Sequence, residues 1–282
     1  MSENKSNSST NKIVILLIFI VVIVLTAEVD WAAMNKEVGM TLRLVWLISL
    51  LSLGLILPIG FMYLAGNKKS ERGESDKKWF IISIVLFLIA NGIPIVFYVV
   101  LGIPPGFFLY VQLALFGLIP AFFLQPRKAI IRILILIILF MGVIIPIGIL
   151  VNLSINDLWS LVATDNTMYY MSFWGLLMTF FYLFIAIGWK LGGGSKRQSW
   201  NIFMAGTLLQ YSTLEDFLYH FLNGRPLPYD WYWMENFVIN LKVLFGPIIS
   251  SWELLIFCSI TILIAILILF DVHGYVWKKI KE

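Results

Sequence analysis

Residues 13–25, IVILLIFIVVIVL, hold no side chain able to hydrogen-bond with water, and runs like this recur along the whole chain. A stretch of about 20 apolar residues matches the hydrocarbon thickness of a bilayer, and in lipid only a helix satisfies every backbone group within one segment. The recurring runs therefore predict an all-α, polytopic integral membrane bundle. A membrane β-barrel would alternate polar and apolar positions over short segments, and that pattern is missing. Composition agrees: 60% of the residues are hydrophobic and only 13% are charged.

The runs predict about eight transmembrane helices in a single membrane domain, 1–282. They fall at 13–33, 41–65, 79–101, 106–124, 129–151, 168–189, 200–222 and 250–272. An interfacial segment, 223–249, is left on the outer side. The first run lacks a small-x-small cleavage site, so it is expected to stay as a helix. Placing the N-terminus inside puts 16 of the 20 Lys and Arg residues in inner segments and leaves only Lys36, Arg43, Arg225 and Lys242 outside. That asymmetry predicts cytoplasmic N- and C-termini and, as the expected location, the plasma membrane. Because the basic residues follow the loops, the net charge of +4 points to lipid headgroups and not to nucleic acid. The lone cysteine, Cys258, cannot form an intrachain disulfide.

Four spans carry proline in similar company: LILPIGF (Pro58), NGIPIVF (Pro94), GLIPAFF (Pro120) and VIIPIGI (Pro146). Each removes a backbone donor and bends its helix. Such bends either open a cavity, as in transporters, or are ordinary kinks.

The chemistry concentrates in LLQYSTLEDFLYHFLNGRPLP, residues 208–228. Asp216 and His220 stand one turn apart on the same helix face, with Glu215 on the neighbouring face. Charged groups at membrane depth are costly and mark sites or ion paths. Glu215, Asp216 and His220 are therefore the candidate catalytic residues. Glu253, Arg43, Gln112, Glu28 and Asp30, all on the outer side by the same topology, are the candidate ligand-binding partners.

Three readings stay open. Asp216 and His220 could hold a single divalent metal, with His220 or Glu215 moving a proton in a membrane enzyme that acts on a lipid-soluble substrate. The same carboxylates could carry a proton or cation through a transporter, although no charged residue continues the path inward. Alternatively the chain is a non-catalytic scaffold. Ser212-x-x-Glu215 would then be a capping box and LEDFLYHFL a separate short helix. The expected ligand is a small cation or a lipid-like molecule, and the sequence does not decide whether the protein is an enzyme. Two histidines cannot build a His-rich metal site, and no nucleotide-binding motif is present.

Overall fold

A computed structural model describes residues 3–34, 40–66, 74–101, 108–159, 171–231 and 249–281. Every regular element among them is helical. The first is α1 (Glu3–Met34). It is followed by α2 (Met40–Leu51), a π turn (Ser52–Ile56), α3 (Leu57–Leu64) and α4 (Glu74–Leu101). Next come α5 (Leu109–Phe116), α6 (Leu118–Ala121), α7 (Ala129–Leu139), a second π turn (Phe140–Ile144) and α8 (Ile145–Trp159). A third π segment (Met171–Met178) leads into α9 (Thr179–Leu191), α10 (Lys196–Gln210) and α11 (Leu214–Leu222). The last two helices are α12 (Ser251–Leu269) and α13 (Val272–Lys281).

Among the described residues, six helical segments are long and apolar enough to cross a membrane: Asn11–Trp31, Trp46–Leu64, Lys77–Leu101, Ala129–Asn152, Phe173–Leu191 and Ser251–Leu269. The chain thus has the character of a multi-pass membrane protein. The two remaining apolar runs form shorter pieces. Residues 106–124 give an apolar helix over Leu109–Ala121, interrupted at Gly117. Residues 200–222 divide into α10 and α11. Most of the expected outer segment, 223–249, lies outside the described residues, with 223–231 and Ile249 inside them.

Among the six, Phe173–Leu191 is the axis. Its most apolar stretch is 83% buried, against 18–39% for the other five. Lipid is as apolar as leucine, so hydrophobicity supplies little force between membrane helices; cohesion comes from close packing and hydrogen bonds. Gly188 and Gly192, spaced by four, let α9 lie directly on the Pro58 and Met62 carbonyls of α3, where any Cβ would collide. Rings fill the next shell, with Phe19 against Tyr182 (5.3 Å) and Phe116 against Phe203 (5.6 Å). The Trp200 indole donates to the Ala114 carbonyl at 3.0 Å and joins α10 to α5.

Two of the proline motifs share one backbone solution. Just before Pro58, the Leu57 amide reaches back to the Ser52 carbonyl. Just before Pro146, the Ile145 amide reaches the Phe140 carbonyl. Each is a π turn, which absorbs locally the hydrogen-bond mismatch that proline creates. Pro94 lies inside α4, and Pro120 lies in α6 after the break at Gly117.

At the end that gathers the basic residues, buried polar groups tie helix termini together. The Leu191 carbonyl, last of α9, accepts from Gln125 Nε2 (2.7 Å) and Arg132 Nη1 (3.0 Å). The other two Arg132 nitrogens donate to the Pro126 and Arg127 carbonyls. Arg132 is only 2% exposed, yet its guanidinium is fully employed.

Candidate functional site

Span 200–222 is not one helix. α10 stops at Gln210, and Tyr211, Ser212 and Thr213 form a buried junction before α11 starts. The Tyr211 hydroxyl anchors the junction, pairing with Thr179 Oγ1 and donating to the Trp174 carbonyl, both at 2.7 Å. Thr213 takes a left-handed conformation, φ 68°. That is costly for a β-branched residue, about 1–3 kcal/mol, and persists only where the surroundings enforce it.

The short helix LEDFLYHFL therefore exists, but the proposed capping box does not form. Thr213 occupies the N-cap position and its side chain makes no capping bond. The Ser212 hydroxyl instead donates back to the Leu209 carbonyl (2.7 Å) and accepts from the Leu214 amide at a long 3.4 Å. The Glu215 side chain is thus not spent on the helix start. It is 4% exposed and its Oε1 has no hydrogen-bond partner. Asp216 beside it and Asp30 of α1 are near enough for their charges to act on it. Thr213 Oγ1 and His220 Nδ1 are likewise buried without a partner. Three polar atoms lacking partners on adjoining turns are unusual, because buried polar groups are generally bonded.

Three elements enclose this cluster. α1 packs along α11, with Trp31 against Tyr219 (5.3 Å) and the Arg225 guanidinium stacked 4.2 Å over Trp31. α12 brings Cys258 beside Ser212, Thr213 and Asp216. The segment 225–231 folds back across α11, and its buried Trp231 lies 5.4 Å from the His220 ring. Trp231 also secures the start of α12: its amide donates to the Ile249 carbonyl (3.1 Å) and its indole to Ser251 Oγ (2.9 Å).

Of the residues expected to line a site, Glu215, Asp216 and Asp30 come close together, whereas His220, one turn beyond Asp216 on α11, lies against the Tyr219 and Trp231 rings. Glu28 is exposed on α1. Glu253 is occupied elsewhere: its carboxylate accepts from the Ser250 amide (2.8 Å) and hydroxyl (2.7 Å), and Ser250 Oγ accepts from the Glu253 amide. This is a complete capping box at the head of α12. Gln112 is paired with Asn91 (3.4 Å), joining α5 to α4. The Arg43 side chain lies outside the described residues. Among the described residues, no three His, Cys, Asp or Glu side chains are grouped as a metal ion would need.

Sequence reasoning missed the layer beneath the acids. The Tyr182 hydroxyl donates to Gln210 Oε1 (3.0 Å), Gln210 Nε2 to Thr26 Oγ1 (3.3 Å), and Thr26 Oγ1 to the Ile23 carbonyl (2.8 Å). These groups are neutral, buried and serially bonded. The available signals were Gln210–Tyr211 just ahead of the acids and Thr26 one turn before Asp30.

Phe217, Leu218 and Phe221 of α11 also join Arg225 and Leu227 around a mostly apolar cavity of about 280 Å³.

No family model, curated protein or solved structure matches this chain.

Proposed function

We propose that this multi-pass membrane protein binds a small cation, the proton included, at a site formed by Glu215, Asp216 and Asp30 with the Thr213 hydroxyl. In this reading the chain crosses the plasma membrane eight times. The broken pairs α5–α6 and α10–α11 supply the two crossings beyond the six long helices, and both termini lie on the basic, cytoplasmic side. α10 supports the count because its last ten residues are buried in protein, where a short or interrupted helix is tolerated.

The observation that carries the reading is Glu215 Oε1, a carboxyl oxygen without a donor at 4% residue exposure, beside two further carboxylates. A buried carboxyl oxygen in that setting is unfavourable until a proton or another cation reaches it. A cation arriving from the outer side meets the acids first and then the neutral Gln210–Thr26–Tyr182 layer, which offers no charged group to accept it. This favours a fixed site open to one side over a through-going transport path.

The test is calorimetric titration of the detergent-purified full chain with sodium, magnesium, calcium and zinc salts in turn, with proton exchange followed in parallel. Saturable binding or proton exchange in the wild type that is lost in Glu215→Gln supports the site. Two folded proteins with identical titrations overturn it.

A second reading is favoured by the cavity on the apolar face of α11. There the lipid-like part of a substrate would lie along Phe217 and Phe221, with His220 of the same helix as the proton carrier of a membrane enzyme. Metal content by mass spectrometry of wild type, Asp216→Asn and His220→Ala separates the two. A stoichiometric divalent metal lost in both folded variants favours the enzyme.

A further inference from the structure

At the opposite end of the bundle, α12 gives way to α13 through a turn that cannot continue the helix. Asp271 is left-handed, φ 62°. Neighbouring elements pin that turn. The Asp271 carboxylate takes the Arg197 guanidinium at 2.6 Å, the Asn201 amide at 3.3 Å and the His273 ring at 3.4 Å. Lys12 of α1 donates to the Phe270 carbonyl at 3.1 Å. The direction in which α13 leaves the bundle is therefore set by α1 and α10 together.

The first turn of α13 also fixes which face it turns outward. Gly274 sits directly under the Arg197 guanidinium, with no room for a Cβ, so this side faces the bundle. Val272, Tyr275, Val276 and Ile280 follow i, i+3, i+4, i+8 spacing on the opposite side and are all exposed, Ile280 by 71%. Exposed Lys279 lies on this stripe, its Nζ 5.8 Å from the Tyr275 ring centre, and Lys278, also exposed, stands at its border one turn beyond Gly274. Apolar side chains beside lysines, on a helix that a left-handed residue separates from the preceding span, are the pattern of a segment lying in the membrane interface.

We infer that α13 is an in-plane anchor that binds the anionic phospholipid headgroups of the leaflet at the basic end. Its apolar stripe enters the acyl boundary, while the lysines extend their stems along it and place their ammonium groups among the phosphates. Charge selects this occupant. Lys12, Arg127, Lys128, Lys196 and Arg197 belong to the same end, and among the side chains described there the acidic one, Asp271, is already engaged. A second copy of the chain would bring a matching basic surface and be repelled. The inference does not depend on the cation site, which lies at the other end of the molecule.

The experiment uses the full chain with Cys258→Ala and Ile280→Cys carrying an environment-sensitive fluorophore. It is placed in nanodiscs of phosphatidylcholine alone or mixed with phosphatidylglycerol, and acrylamide, a neutral quencher, reports exposure to water. The label is expected to be shielded in the anionic discs. Lys278→Glu with Lys279→Glu should lower the shielded fraction ratio by about tenfold or more, since each lysine near an anionic surface contributes about 1 kcal/mol. Both lysines are exposed, so an unchanged melting midpoint verifies the fold; Lys278→Gln with Lys279→Gln gives an intermediate loss. Equal quenching in both lipids overturns the inference. So does shielding that ignores lipid charge and grows with the number of proteins per disc, which would indicate a second copy.

Discussion

The two ends of the bundle treat buried charge in opposite ways. At the basic end, Arg132 is almost wholly buried and each of its three nitrogens donates to a backbone carbonyl. The unpaired atoms nearby, Trp189 Nε1 and Asn201 Oδ1, belong to neutral side chains. At the acidic end, the buried ionisable group Glu215 keeps an oxygen without a donor and has two carboxylates as neighbours. A charge fully used by the backbone is part of the scaffold. An ionisable group held beside a strained junction, with an oxygen that lacks a donor, is costly to keep and is a candidate for function.

This contrast can be broken at four points. The largest effect is expected from Arg132→Met, which strips donors from three carbonyls, that of Leu191 at the C-terminus of α9 among them; a loss of about 3 kcal/mol or more should appear in denaturation by detergent or heat. Next is Gly192→Ala, where the new methyl meets the Met62 carbonyl. Separating α9 from α3 should cost about 1–3 kcal/mol, read as a lower melting midpoint.

Glu215→Gln should behave in the reverse sense to Arg132→Met. It keeps the volume and removes the charge, so thermal stability is expected to stay level or rise while cation binding or proton exchange disappears. A large drop in stability would instead make Glu215 a scaffold residue like Arg132. The smallest effect separates the true cap from the apparent one. Ser250→Ala should cost about 1 kcal/mol in the same melting experiment, whereas Ser212→Ala, whose bond to the α11 start is long, should cost clearly less.

Much of the architecture was legible because the bilayer restricts the choice of backbone so strongly. Apolar runs marked the six long helices directly, and the cost of intramembrane charge located the cluster around Glu215. The seventh run was open to two readings, one continuous helix or a break at Ser212, and the break forms without the expected box: nothing in QYST announces that a threonine will adopt positive φ, and Ser212-x-x-Glu215 fits the capping pattern better than the junction that forms. The box at Ser250-x-x-Glu253 has the same spacing and is complete. Glu253 therefore belongs to a helix start, although sequence position alone made it a plausible site residue. Hydropathy hinted at α9 as the axis only through its lower mean, because faces toward lipid and toward protein are both apolar. The small residues at Gly188 and Gly192 were the clue to that packing.

The central position of α9 bears on how the protein is made. Its span has a mean hydropathy of 1.5, against 2.2–3.2 for the other five, and it is the one enclosed by protein. Before its neighbours arrive, this segment is the least comfortable in lipid, with Thr179, Lys190 and the Gly188–Gly192 face all turned toward acyl chains. Assembly then has a direction: the more apolar spans settle first as independent helices, and α9 gains its place by association. A chain halted before α10 would leave that segment partly unclad, a form suited to recognition by membrane quality control.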